Sequence, residues 1–173
     1  MKIEIKKISF DDSVEIAEFL KKFKESENGF NRPASDEELK DLASFKQWLV
    51  RKINESEGID LMAGHVQQTL YWILCDHKLA GIGKVRPFLN PQLLINGGNI
   101  GYGVSPEFRS KGIMSEALRL LLRELLIVHE VTKVLITVQE ENAASRRVAE
   151  KNGFILKKIE NGKCYYWVEL SKV

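Results

Sequence analysis

Cysteine, proline and histidine are all scarce in this chain, with 2, 4 and 3 copies among 173 residues. Cys75 and Cys164 stand far apart inside runs of strand-forming residues. Reduced core thiols of a cytoplasmic protein are therefore expected rather than a disulfide framework. His65, His77 and His129 show no metal-ligand spacing with one another or with the cysteines, so no metal is expected. Long hydrophobic runs are missing as well. The greasiest stretch, Ala117 to Val128, is broken by Arg119, Arg123 and Glu124, which argues against a membrane span. Met1 to Ile8 alternates apolar with charged residues and lacks the apolar block of a signal peptide. Nor is there an excess of one charge. Lys and Arg number 26 against 24 acidic residues, mixed throughout with a net charge of +2, which disfavours a nucleic-acid partner. Any anion this chain binds must be caught locally.

What is present describes one ordinary globular domain spanning residues 1–173, with 44% hydrophobic and 29% charged residues. Lys2 to Ser9 reads as a strand, and Asp11 to Ser13 cap a helix whose stripe is Val14, Ile16, Ala17, Phe19, Leu20 and Phe23. Glu25 to Ala34 is a polar connector. Ser35 and Glu38 have capping-box spacing ahead of a second helix carrying Leu39, Leu42, Phe45, Trp48, Leu49 and Ile53. Thr69 to Asp76 and Leu79 to Arg86 form a hairpin about a His77-Lys78 turn, and Phe88 to Gly98 is an irregular crossover. Asn99 to Val104 is a fourth strand, stopped by Pro106. A third helix follows from about Gly112 to His129, then a fifth strand from Lys133 to Val138. A fourth helix, Asn142 to Asn152, and two strands turning at Asn161-Gly162 complete the chain. This order makes the fold α/β or α+β with a mixed sheet of about seven strands and four helices.

The segment from Gly101 to Leu118 carries the chemistry. A strand ends at Val104, a proline breaks it, and a short basic loop runs straight into a helix N-terminus. Main-chain N–H groups are unpaired there and the helix dipole adds positive charge, so the turn can grip a phosphate. Arg109 and Lys111 add full charges, and Gly112 lets the main chain approach the anion closely. Two better-known phosphate loops do not fit. Lys111 precedes Gly112, whereas Walker A needs Gly-Lys-Ser/Thr, and Gly101 and Gly103 are followed by Pro106 where a dinucleotide fingerprint needs glycine.

A second stretch, Gln139 to Phe154, joins the first. Together they resemble the GNAT superfamily of N-acetyltransferases. Arg109-Ser-Lys-Gly-Ile-Met stands where that family has its Arg/Gln-x-x-Gly-x-Gly/Ala pyrophosphate loop, and Asn142-x-x-Ser145 with Lys151-Asn-Gly-Phe154 matches its second signature. Gly97 to Val104 looks like a bacterial subgroup of predicted acetyltransferases. The resemblance implies the acyl-CoA N-acyltransferase fold, with its sheet splayed between strands four and five and pantetheine lying in the gap. It implies acetyl-CoA as cosubstrate, held by Tyr102, Gly103, Val104, Arg109, Ser110, Lys111, Gly112, Ile113, Met114, Ser115, Asn142, Ser145 and Lys151. Within that set, the amides of Lys111, Gly112, Met114 and Ser115 would hold the pyrophosphate, and Asn142 the pantetheine arm.

The activity implied is direct acetyl transfer to a primary amine of a small molecule or peptide. A non-catalytic acyl-CoA-binding or sensor domain is the alternative, because Ala149 stands where many relatives carry the tyrosine acid. Ser145 is then the catalytic hydroxyl by the family pattern. Asn99 replaces the histidine of the subgroup and cannot act as a base, which leaves Glu140, Glu141 or a water held by Asn99. Met114, where Gly or Ala is usual, could crowd the loop. Tyr102, Tyr165 and Tyr166 are expected as core or pocket wall, Trp48 and Cys164 as core, and His65 as exposed. The acceptor walls should come from residues 25–33, 55–68 and 88–98, and a homodimer through exposed strands is compatible with the chain.

Overall fold

Alternation of Ile3 and Ile5 with charged neighbours produces strand β1 (Ile3–Lys7), followed by helix α1 (Val14–Leu20) with Ser13 at its N-cap. The computed structural model describes residues 1–172. The polar connector folds into a small hairpin, β2 (Ser26–Glu27) and β3 (Phe30–Asn31). Its turn residues Asn28 and Gly29 have φ of 51° and 80°, the pair of positive angles that an Asn-Gly hairpin turn requires. The Ser35–Glu38 box forms, with the Ser35 amide donating to the Glu38 carboxylate at 2.7 Å, yet it closes an isolated turn. Helix α2 (Leu42–Ser56) starts later, where the Asp41 carboxylate accepts from the Ser44 amide at 2.8 Å.

Strands β4 (Thr69–Cys75) and β5 (Lys78–Val85) turn at Asp76-His77, one residue earlier than the sequence suggests. In the stretch expected to be irregular, Asn90 caps a short helix α3 (Pro91–Ile95), with Pro91 at the first helical position. Then come β6 (Ile100–Val104), a 3₁₀ turn at Pro106–Phe108, helix α4 (Ile113–Val128), β7 (Lys133–Gln139), helix α5 (Ala143–Lys151), β8 (Ile155–Glu160) and β9 (Lys163–Glu169). The fold class and the seven longer strands match expectation, and α3 adds a fifth helix to the four foreseen.

One sheet has the order β1-β4-β5-β6 and another β7-β9-β8, with every recorded pairing within them antiparallel. The central strands are covered on both faces. Leu70, Trp72 and Ile82 pack with Phe19, Phe45 and Trp48 from α1 and α2. Tyr71, Ile73 and Val85 pack with Ala117, Leu118 and Leu121 from α4. Burying each such large side chain contributes roughly 1.5–3 kcal/mol, enough to fix which helices lie on which face. Trp48, Tyr165, Tyr166 and Cys164 are buried, His65 is exposed, and both cysteines are free.

The two sheets meet where β6 begins. A single isolated bridge joins Gly98 to Ile136, and the Asn99 amide donates to the Leu135 carbonyl at 2.8 Å. At Gly98, φ is +64° and a Cβ would lie 2.3 Å from the Leu135 carbonyl oxygen, so glycine is what allows this approach. The Asn99 side chain closes the joint. Its Oδ1 accepts from the Leu135 amide at 2.8 Å and its Nδ2 donates to the Arg86 carbonyl at 2.9 Å. Beyond this apex β6 and β7 belong to different sheets, and residues of both line one cleft.

Candidate active site

The cleft between β6 and β7 has a volume of about 780 Å³, within the range of cofactor sites. Its walls include Ile100 to Val104 on one side and Ile136 to Gln139 on the other, and the start of α4 closes one end. All thirteen residues expected to bind a cofactor line it: Tyr102, Gly103, Val104, the run Arg109 to Ser115, Asn142, Ser145 and Lys151.

The turn into α4 owes its shape to Gly112, the N-cap, whose φ of +75° disfavours any other residue. A Cβ there would meet nothing within 4 Å, so the restriction is conformational and the space in front of the turn is open. The amides of residues 110–114 have no main-chain partner, whereas Ser115 N–H bonds back to the Gly112 carbonyl at 3.2 Å. The free donors are therefore shifted one step towards the loop from the set expected, with Ile113 taking the place of Ser115. Met114 does not crowd the turn, because its side chain is 6% exposed and packs in the core.

The two loop cations are less free than their sequence suggests. Arg109 donates from Nη2 to Glu27 Oε2 at 2.6 Å and from Nε to the Val104 carbonyl at 3.2 Å. That pairing holds the Glu27 carboxyl below the usual carboxylate range. Lys111 donates to the Glu107 carbonyl at 2.8 Å. Two further cations come from α5, where Arg147 and Lys151 line the cleft one helical turn apart. Arg147 was not foreseen, although its i,i+4 spacing from Lys151 was visible.

The opposite wall joins β6 to α5. Burial pushes the Tyr102 hydroxyl up to about 12, so it stays protonated, and it donates to the Ser145 carbonyl at 3.3 Å. Asn142 caps α5 through Oδ1, which accepts from the Ser145 amide at 3.1 Å. Its Nδ2 donates to the Asn28 carbonyl at 3.3 Å, so this side chain is committed to the hairpin tip as well as the helix. Ala149 is fully buried in the core and brings no functional group to the site.

A family model for an acetyltransferase (GNAT) domain matches residues 4–155. The chain belongs to the GNAT acetyltransferase family. No curated protein matches its sequence significantly. Among solved structures, it is similar to the ribosomal-protein-S5-alanine acetyltransferase from Vibrio fischeri, with TM-score 0.71 and 16% identity, covering 98% of this chain and 93% of that one. It is also similar to RimL, a ribosomal L7/L12 alpha-N-protein acetyltransferase in complex with coenzyme A, with TM-score 0.70, 20% identity and coverage of 98% and 95%. Campylobacter jejuni N-acetyltransferase PseH in complex with acetyl coenzyme A gives TM-score 0.65, 11% identity and coverage of 98% and 100%. At these identities the likeness is one of fold.

For a GNAT site, three catalytic expectations need revision. Glu140 and Glu141 are exposed and do not line the cleft, because β7 ends before them and the chain turns outward into α5. The Asn99 amide is buried at the apex, where it bonds the Leu135 amide and the Arg86 carbonyl, and it does not line the cleft. Of the expected acceptor walls, residues 26–31 and 96–97 line the cleft, but no residue from 55 to 68 does. Instead Lys84 of β5 and Arg86, just past the strand's end, line it. Burial lowers Lys84 to about 7, helped by repulsion from Arg86 and Lys52, and burial lowers Arg86 to about 10. No group of three or more His, Cys, Asp or Glu among the described residues could hold a metal ion.

Proposed function

We propose that this protein is an acetyl-CoA-dependent N-acetyltransferase that moves an acetyl group directly to a primary amine of a small molecule or peptide. The observation that carries this reading is the run of unpaired amides at residues 110–114, set at the end of a cleft walled by the free edge of β6. Main-chain donors at a helix start suit a diphosphate, and an unpaired strand edge suits an amide-bearing arm. The amides of Lys111, Gly112, Ile113 and Met114, the main chain of Tyr102 to Val104, and the side chains of Lys111, Arg147 and Lys151 would hold acetyl-CoA. When bound, that group supplies an activated thioester.

The chain's own part is to polarise, to exclude water and to move protons. Main-chain N–H groups on the free edge of β6 would stabilise a developing oxyanion, where one donor is worth ~3 kcal/mol. Neutralising a lysine-like amine at pH 7 costs roughly 4–5 kcal/mol. Glu27 is the carboxylate among the cleft-lining residues, and Arg109 holds it ionised at the mouth. Desolvation and the cationic wall of Lys84 and Arg86 therefore carry the task, since both disfavour an ammonium. Ser145 Oγ and Tyr102 Oη are the hydroxyls from which a proton would be given. A cytoplasmic setting accords with the two free buried thiols.

The lack of a hydroxyl at Ala149 and, among the described residues lining the cleft, of a carboxylate free of an ion pair support a second reading, an acyl-CoA-binding domain without turnover. Release of free thiol from acetyl-CoA across an amine panel separates the two. Turnover is expected, with Ser145→Ala lowering kcat more than about tenfold at unchanged CoA affinity. A larger loss in Tyr102→Phe would move the proton donor to β6. Tight CoA binding with no thiol released from any amine would favour the binding domain.

A further inference from the structure

Lys84 and Arg86 lie on the side of the cleft facing the β2–β3 hairpin, and no salt bridge neutralises either among the described residues. Lys84 is 8% exposed. Its Nζ donates to the Asn31 carbonyl and sits 4.8 Å from the centre of the Phe30 ring. Arg86 donates from Nε to Gln68 Oε1 at 2.8 Å and from Nη1 to the Gly98 carbonyl at 3.1 Å. An ammonium has three donors and a guanidinium five, so both cations keep unused N–H groups. Their shared ground is the bare face of Gly101, where a Cβ would lie 3.8 Å from Lys84 Cδ and 3.9 Å from both Arg86 Nη atoms.

Such a pair is expensive to keep. Glu55 of α2, the acid acting on both, is itself bonded to Lys52 at 2.7 Å, and the other groups touching the two cations are neutral carbonyls, an amide and an aromatic ring. A methionine at position 84 would pack a buried strand more cheaply. Uncompensated buried charge destabilises a fold, and proteins break such local rules at functional sites. The pairing of a planar fork with a point charge is suited to carboxylate or phosphate oxygens.

We propose that Lys84 and Arg86 form an anion subsite, selecting acceptor amines that carry a carboxylate or phosphate group. This rests on the acetyltransferase reading and names the acceptor class for it. The charged groups around Lys84 are Arg86, just past the end of its own strand, and Lys52 and Glu55 from α2; β3 offers Asn31's uncharged carbonyl. With burial holding the empty-site ammonium near neutrality, the anion-binding form of Lys84 is lost as pH rises through about 7. Anion binding should therefore take up a proton near neutral pH and weaken above it.

The test is calorimetric titration of the CoA-saturated protein, where no transfer can occur, with 4-aminobutyrate, phosphoethanolamine and butylamine. The two anionic amines should bind at least about tenfold more tightly than butylamine, and the stronger of them identifies the anion. Their affinity should fall between about pH 6.5 and about pH 8.5. Lys84→Met should cost about tenfold or more in anionic-amine affinity while CoA binding persists. Lys84→Arg should keep the affinity and flatten its pH dependence. Equal binding of all three amines, no binding of either anionic amine, or unchanged affinity in Lys84→Met would overturn the subsite. Failure of CoA itself to bind would instead count against the acetyltransferase reading. The same amines titrated into unloaded protein would then still decide the subsite.

Discussion

The two halves of the cleft hold charge in opposite ways. At the α4 end, the donors are main-chain amides on an open turn, assisted by Lys111, Arg147 and Lys151 at the surface. At the hairpin side, the donors are buried Lys84, under an aromatic ring and a carbonyl, and half-buried Arg86 just past the end of its strand. The first arrangement costs the fold little, since helix starts leave amides unpaired in any case. The second costs stability in the empty protein, a cost that the proposed anion would offset. Both sets of donors line a single cleft, and Asn99 and Gly98 hold its apex.

The comparison can be broken at three places. The largest effect should come from Gly112→Glu, which sets bulk and negative charge before the free amides. CoA affinity should fall by on the order of 100-fold. Positive φ at this site adds strain of about 1–2 kcal/mol, so melting should drop by a few degrees with the fold intact. Unchanged CoA affinity would remove the helix start from the site.

Asn99→Ala acts on the apex. It leaves the buried Leu135 amide and the Arg86 carbonyl without their side-chain partner and should cost about 2–4 kcal/mol in chemical denaturation. A loss under about 0.5 kcal/mol would mean that the sheets hold together without this clamp.

The smallest effect belongs to the mouth of the cleft, where Glu27 from the hairpin occupies Arg109. Glu27→Gln should release that guanidinium and tighten CoA binding by about two- to fivefold at low salt, with the gain shrinking as salt is added. Weaker binding in this variant would show that the ion pair orients Arg109 rather than competing for it.

Legibility in the sequence follows the range of the interactions. The turn into α4 was readable because it is local: Pro106, Gly112 and the start of an apolar helix stripe lie within one short stretch. The hairpin at Asn28-Gly29 and the helix at Asn90-Pro91 were equally local, and their turn and cap residues were there to be read. The Ser35–Glu38 box shows the reverse case. It forms as its spacing demands, but Asp41 is the residue that starts the helix. Lys84 and Arg86 could not be placed from the sequence. On a strand covered on both faces, alternation does not say which side opens on a cleft, and that depends on the glycines of β6 and on a hairpin whose contact with Lys84 spans 53 residues. The same holds for Asn99, whose partners Arg86 and Leu135 come from separate strands.

The most direct measurement is amide hydrogen exchange on the protein with and without coenzyme A. Slowed exchange at residues 110–114 and along Tyr102 to Val104, with β8 unaffected, is the expected result. Unaltered exchange at those amides under saturating coenzyme A would contradict the account, whatever activity the protein shows.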